Sequence, residues 1–345
     1  MVALISPSRT AATVKEVAQL ARVSTATVSR VLSGSSAVSD ELKQRVQIAV
    51  EKLEYHPNKL GRNLRKQVTN IIGLIVSDIQ NPFFTSLMRG VQDTLRDQSY
   101  VLLSANSDEN PEQEMIQLEA FRSEGVASVI FAPSRLDYAN DIKSLQRNMP
   151  LVAVDRRPAN LEVDTVMADN AGGTRAATMH LIELGHRRIG FISGPEWIST
   201  AEERSQGYRT AMRAAGLAIY PELFQVGNFR QQGGFEAMKR MLDLPNPPTA
   251  VLSANNLMTL GALQAIHDRC LVIPDDIAIV GFDDMSWAAS LQPPLTVVAQ
   301  FPYEMGQTAA CMLLERLTDP NLPLRHVVLE TRLVVRNSTG RGNCN

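Results

Sequence analysis

Thr25, Ala26, Ser29 and Arg30 gather, within one short stretch, the groups that read a nucleic-acid duplex. A guanidinium pairs with guanine O6 and N7 or with phosphate, hydroxyls bond base edges or phosphates, and a methyl side chain packs on a thymine methyl. A second set is scattered through the rest of the chain: Asp78, Asn81, Phe83 and Phe84, then Asp155, Asn255 and Asp283. Carboxylates and amides exchange hydrogen bonds with hydroxyl groups, and an aromatic ring covers the apolar face of a sugar-like molecule.

The first set needs a short helix with an apolar inner face. Thr13 and Glu16 have capping-box spacing, and Val14, Val17, Ala18 and Ala21 share one helical face, so a helix is predicted from Val14 to about Ala21. Arg22-Val23-Ser24 breaks it. Ser24 then caps a second helix through Leu32, with Val28, Val31 and Leu32 inward. Ser39-Asp40-Glu41 opens a third, whose stripe runs through Leu42, Val46, Ala49, Val50 and Leu53. This pattern describes a helix-turn-helix, in which the second helix enters the major groove. Thr25, Ala26, Ser29 and Arg30 all lie off its inward stripe.

The second set needs parallel sheets. From Ile71 onward, apolar runs alternate with amphipathic stretches: Ile71–Val76, Val101–Ser104, Val126–Ala132, Leu151–Val154, Arg188–Ser193, Ala250–Ser253 and Ile277–Gly281. Such βαβ rhythm predicts parallel strands covered by helices. It runs through Asp155 and restarts after Asn170-Ala171-Gly172-Gly173, which predicts two similar lobes with a seam near residue 170. Pro293-Pro294-Leu295 and the segment near Gln300 are expected to carry the chain back across it. Ligands of open parallel sheets sit beyond the carboxyl ends of strands, where the second set falls. An Asp there also serves as a turn cap, and only one of Phe83 and Phe84 is expected to face the cleft. Arg156 and Arg157 fit an acidic ligand or a solvated surface equally well. Trp287 is a weaker candidate.

Composition is globular, with 44% hydrophobic and 20% charged residues. The net charge of −2 conceals an asymmetry: residues 1–66 hold 11 Lys or Arg against 5 Asp or Glu, while the remainder holds 23 against 31. A basic head of net +6 on an acidic body of net −8 implies an anionic partner for the head. Three dispersed cysteines form no CxxC pair, so no metal site and no disulfide framework is expected. No stretch is long and apolar enough to span a membrane, no signal peptide is recognised, and the expected location is the cytoplasm.

The stretches Thr13-Val14-Lys15-Glu16-Val17-Ala18 and Val23-Ser24-Thr25-Ala26-Thr27-Val28-Ser29-Arg30-Val31-Leu32 resemble the signature of the LacI/GalR family. Tyr55-His56-Pro57-Asn58 with Leu60, Gly61, Arg62, Asn63 and Leu64 resembles that family's hinge, and the likeness continues to Arg336. The resemblance implies a small all-α helix-turn-helix headpiece. An α/β two-lobed, periplasmic-binding-protein-like sensor with doubly wound parallel sheets then follows. The expected boundaries are an N-terminal extension over 1–12, the helix-turn-helix over 13–57, the hinge over 58–70 and the sensor over 71–340. Lobe one comprises about 71–169 plus 301–327, and lobe two about 170–300 plus 328–340.

The same resemblance adds Thr13, Ser24, Thr27, Asn58, Lys59 and Arg62 to the DNA-contacting set, with Leu64 wedging between base pairs in the minor groove. It adds Arg204 and Phe229 to the effector set. Gly61 stands where the family usually has Ala, and Gly costs a helix interior roughly 1 kcal/mol, so a weaker hinge helix is expected. The implied partners are a pseudo-palindromic DNA operator, a small-molecule effector such as a sugar or sugar acid, and a second copy of the chain. A dimer is expected over a tail-assembled tetramer, since no leucine heptads follow Arg336. No catalytic residue and no cofactor is expected, because GxSxG, HExxH, the Walker loop and GxGxxG are all missing. An enzyme or a transport binding protein on the same lobes leaves the basic head unexplained, and an architectural DNA protein leaves the lobes unexplained.

Overall fold

The computed structural model describes residues 12–32, 38–53, 55, 69–135, 137–138, 142, 145–146 and 149–340. The chain divides into two units, Met1–Val68 and Thr69–Asn345.

In the first unit, α1 (Val14–Ala21), α2 (Thr25–Leu32) and α3 (Asp40–Lys52) enclose a small core of Val17, Ala18, Ala21, Val28, Val46 and Ala49. The capping box forms as expected. Thr13 N–H donates to Glu16 Oε2 (2.6 Å) and Glu16 N–H to Thr13 Oγ1 (3.4 Å), satisfying donors that a helix start leaves unpaired. Arg22 ends α1 in the left-handed region at φ 50°. Arg45 on α3 then donates through Nη2 to the Ala21 (2.8 Å) and Arg22 (3.0 Å) carbonyls, tying the third helix to the end of the first.

The second unit holds two six-stranded sheets of matching order. The first lobe runs β1 (Ile71–Val76), α4 (Pro82–Arg96), β2 (Val101–Asn106), α5 (Pro111–Ser123), β3 (Ser128–Phe131), β4 (Leu151–Val154) and β5 (Asp164–Ala168). The second runs α6 (Asn170–Glu183), β6 (Ile189–Ser193), α7 (Ser199–Ala214), β7 (Phe224–Val226), α8 (Gln231–Leu242), β8 (Ala250–Ser253), α9 (Asn256–Asp268), β9 (Ala278–Phe282) and β10 (Thr296–Ala299). The chain then returns to the first lobe with α10 (Pro302–Thr318) and β11 (His326–Leu329), and ends in the second with β12 (Arg332–Val334).

Sheet one is ordered β11-β5-β4-β3-β1-β2 and sheet two β12-β10-β9-β8-β6-β7. All pairings are parallel except β10 with β12. The strand order reverses beside β1 in one lobe and β6 in the other, the switch points where crevices open in doubly wound sheets. Central strands such as β4 and β9 are buried on both faces, which is why they read as unbroken apolar runs.

Helix α10 docks on α4 at glycine-sized distance. A Cβ at Gly90 would lie 2.0 Å from the Tyr303 carbonyl oxygen, and one at Gly306 would lie 2.1 Å from that of Leu87.

Three expectations need correction. Strand β5 was not anticipated, because its buried Asp164 interrupts the apolar pattern; Arg316 grips that carboxylate through Nε (2.6 Å) and Nη2 (3.0 Å). Pro293-Pro294-Leu295 do not cross the seam: Leu295 is buried in the second lobe, its N–H bonded to the Ala288 carbonyl at 2.9 Å, and the crossing falls at Gln300 and Phe301. The last crossing comes after Leu329, since β11 pairs with β5 through Leu329↔Ala168, two residues beyond the expected 327.

Candidate functional site

On the first unit, α2 presents Thr25, Ala26, Ser29 and Arg30 as an exposed face, opposite the fully buried Val28. Its start is fixed by Ser24, whose Oγ accepts from Thr27 N–H (3.1 Å) and contacts Thr27 Oγ1 (2.9 Å). Ser24 and Thr27 are therefore engaged in capping, and Thr13 in the capping box of α1. Asn58, Lys59, Arg62 and Leu64, with Gly61, lie outside the described residues.

In the second unit, a cavity opens between the lobes, and all seven expected effector residues reach its wall. Phe83 and Phe84 come from the start of α4, Asp155 from the end of β4, and Arg204 from α7. Phe229 follows β7, Asn255 follows β8 and Asp283 follows β9. Nearly every contribution sits just past the carboxyl end of a strand, as the sheet order dictates.

The arrangement corrects two readings. Phe83 and Phe84 both line the cavity, packed edge to face with centroids 5.1 Å apart. Arg156 is not solvated: it is 4% exposed, its guanidinium grips Glu109 through two bonds of 2.6 and 2.7 Å, and its buried Nε has no hydrogen-bond partner among the described residues. Arg157, beside it, does face solvent. Trp287 lies off the cavity, half-buried against the second-lobe core.

The wall also includes Asp78 and Asn81, both expected at the end of the first strand, and Glu109, Arg156, Thr200 and Gln300, which were not placed in the effector set. Asp78, Glu109 and Gln300 lie just past β1, β2 and β10, so the strand-end rule reaches them once β2 is extended and β10 recognised. Thr200, in the first turn of α7, gave no signal of its own.

Each polar group has a distinct status. Asn255 is a positioning residue: Oδ1 accepts from Met258 N–H (2.8 Å) at the start of α9, and Nδ2 donates to the Phe229 carbonyl (3.2 Å). Phe229, with φ 57°, lays its ring against Gly194, where a Cβ would come within 2.1 Å of it. Arg204 donates from Nε to Asn170 Oδ1 (2.8 Å) and from Nη1 to the Ala254 carbonyl (2.6 Å), with its guanidinium 3.9 Å from the Phe282 ring centre. Asp283 accepts from Gln300 Nε2 (2.5 Å) and from Asn256 N–H (3.3 Å). Among the described residues, Asp155 accepts no hydrogen bond, although Arg156 Nε lies 3.4 Å away.

Burial dominates the electrostatics. It pushes the Asp155 carboxyl up to about 6 against the pull of Arg156 and Arg204, and it raises Asp283 against the pull of Arg204. It also lowers Arg204, while the two carboxylates pull the guanidinium back. For Arg156 burial again opposes the charge, but Glu109 and Asp155 outweigh it and raise the value.

The lobes are joined across the cavity. Arg230 of the second lobe binds Asp78 (2.7 Å) and Asp108 (2.7 Å) of the first, and Asn256 Nδ2 donates to Asn81 Oδ1 (2.8 Å). Arg157 N–H donates to Ser199 Oγ (3.0 Å). No group of three or more His, Cys, Asp or Glu among the described residues is placed to hold a metal ion, and no helix among them is long and apolar enough to cross a membrane.

Comparison with known proteins gives this geometry a context. Residues 13–58 match the family described as bacterial regulatory proteins, lacI family, and residues 178–339 match the periplasmic binding protein-like domain. The chain is 36% identical over 331 residues to the HTH-type transcriptional repressor CytR of Escherichia coli K12, covering 96% of this chain and 97% of that protein. Among solved structures, the transcriptional regulator CelR–cellobiose complex is 33% identical with a TM-score of 0.71, covering 95% of this chain and 99% of the other. The lac repressor dimer bound to operator and the anti-inducer ONPF is 26% identical with a TM-score of 0.83, covering 96% and 100%.

Proposed function

The chain belongs to the LacI family of bacterial regulatory proteins, and from that membership we propose which of its residues read DNA, which bind the effector, and how the two are coupled. It is a sequence-specific DNA-binding transcriptional regulator controlled by a small-molecule effector, and its relatives are repressors, not enzymes. The observation that carries the assignment is the presence in one chain of the exposed α2 face and a polar, aromatic-lined cavity built from both lobes.

Ser29 and Arg30, with Thr25 and Ala26, read base edges in the major groove, while Thr13, Ser24 and Thr27 hold the helix starts against the phosphate backbone. Asn58, Lys59 and Arg62 track the minor groove, and Leu64 wedges into it. Two copies act together, because one helix-turn-helix covers too few base pairs, and twofold symmetry matches a pseudo-palindromic operator. In the sensor, Arg204 and Asp283 orient the effector, Asp155 accepts from it, and the phenylalanines cover its apolar faces. Its binding energy favours one degree of lobe closure over another, and typical coupling of about 1–3 kcal/mol then shifts operator affinity. Regulation is this chain's whole activity; none of its residues performs catalysis.

The test is selection of bound duplexes from a random pool by the purified protein at fixed, moderate salt, with and without an aqueous metabolite extract. Enrichment of a pseudo-palindrome with a kinkable pyrimidine–purine centre is expected. No enrichment under either condition would overturn the assignment.

A further inference from the structure

The chain crosses between the lobes after β5, β10 and β11, and two of these crossings carry a buried amide side chain that holds one of the charged groups proposed to orient the effector. Gln300, at the second, donates to Asp283 and itself lines the cavity. Asn170, at the first, stands behind the wall, yet its Oδ1 accepts from Arg204 Nε at 2.8 Å. The backbone there is held from several sides. Asp169 N–H donates to the Leu329 carbonyl (2.9 Å), Thr331 Oγ1 donates to the Asp169 carbonyl (3.1 Å), and a Cβ at Gly207 of α7 would lie 2.3 Å from the Ala171 carbonyl oxygen. Asn170 is thus a fixed point against which the guanidinium of Arg204 is set.

The other half of the amide faces the opposite charge. Asn170 Nδ2 donates to Glu203 Oε2 at 2.9 Å, and Glu203 Oε1 is reached by Arg157 Nη2 of the first lobe at 3.5 Å. The Arg157 N–H donates to Ser199 Oγ, on the same helix as Glu203. One amide therefore links a cation on its oxygen side to an anion on its nitrogen side, an alignment in which each hydrogen bond polarises and strengthens the other. A group at this position must donate and accept at once: a carboxylate has no proton for Glu203, and a methyl group has neither function. Both direct partners of Arg204, the Asn170 amide oxygen and the Ala254 carbonyl, are neutral, and its Nη2 makes no hydrogen bond among the described residues, which leaves that nitrogen open to an effector.

We infer that Asn170 is a positioning residue that sets how strongly effector binding is coupled to operator affinity. Without touching the effector, it ties Arg204 to the first lobe crossing and, through Glu203, to Arg157 of the first lobe. A pull on the guanidinium is passed to the joint about which the lobes close. The inference rests on the effector-sensing reading above and deepens it.

The experiment measures the affinity of the full-length protein for the selected duplex across a dilution series of aqueous metabolite extract, taking the response as the ratio of affinities with saturating extract and without it. Typical coupling gives a response of about 5- to 150-fold in the parent protein. Asn170→Asp keeps an acceptor for Arg204 but sets two carboxylates against each other, and is expected to reduce the response about fivefold, the worth of one hydrogen bond. Adding Glu203→Gln to that variant supplies the missing donor from the other side and is expected to recover most of the lost response. If the bond is merely structural, the melting temperature falls and recovers while the response stays at the parental value, which overturns the inference and leaves effector sensing intact. A response lost with Asn170→Asp and not recovered by Glu203→Gln also overturns it, as does loss of duplex binding in both variants. An extract that leaves duplex binding by the parent protein unchanged overturns the effector reading, and the inference falls with it.

Discussion

Asp155 and Asp283 occupy the same position in the two lobes. Each follows the central strand β4 or β9 with a left-handed backbone, φ 65° and 79°, and each donates its N–H to the next strand, to the carbonyls of Val166 (2.9 Å) and Val298 (2.8 Å). The internal repeat thus delivers two carboxylates into one cavity, in a conformation that costs an ordinary residue about 1 kcal/mol or more and that marks functional sites.

Because burial raises Asp155 from an ordinary value near 4 to about 6, and Asp283 in the same direction, the ligand-free protein pays for ionising them. Their contribution is fully present below about pH 4 and is lost as pH rises through about 6. Asp155→Asn is therefore expected to stabilise the ligand-free sensor by an amount that grows between pH 4 and 7, reaching on the order of 3 kcal/mol. Melting temperatures of both proteins across that range check this; a pH-independent difference contradicts it.

Arg204 is buried on the same cavity wall as those carboxylates and is fastened to Asn170 and Ala254. Arg204→Ala is expected to abolish the effector response while operator binding persists, with a loss of about 3–5 kcal/mol in sensor stability from the uncompensated acids. Arg204→Lys, lacking the planar fork, should restore stability better than response. Titration of the selected duplex with and without a metabolite extract that alters binding by the parent protein decides, and a retained response in the Ala variant removes Arg204 from the site.

The ties from Arg230 to Asp78 and Asp108 hold the lobes together from a half-exposed position, where an ion pair contributes about 1 kcal/mol or less. Arg230→Ala should increase the radius of gyration of the ligand-free protein in small-angle scattering and weaken effector binding by up to about fivefold. An unchanged scattering profile would show that other contacts set the closure.

Where α4 meets α10, Gly306 has no room for a methyl group, since the obstacle is the Leu87 backbone carbonyl. Gly306→Ala is expected to cost about 1–3 kcal/mol by pushing the helices apart. Urea denaturation of the sensor measures it, and a neutral result would mean the crossing relaxes freely.

Much of the protein was legible in its residues because the relevant physics is local. Thr13 and Glu16 determine a helix start from three positions of chain, the stripe of Val17, Ala18, Ala21 and Val28 determines a core, and apolar runs bounded by Asp or Asn determine strands and their ends. The regulator family and the cavity set, Asp155, Arg204, Phe229 and Asp283 included, follow from such signals together with the family resemblance. What spacing does not encode is which side chain satisfies which. That Arg156 is closed by Glu109, 47 positions away in the chain, that Asn255 serves Phe229 while Gln300 serves Asp283, and that Asp164 sits inside a strand gripped by Arg316, depend on groups brought together from distant segments. Burial and pairing are properties of that assembled neighbourhood, and only the tertiary structure decided which charges remain open to a ligand.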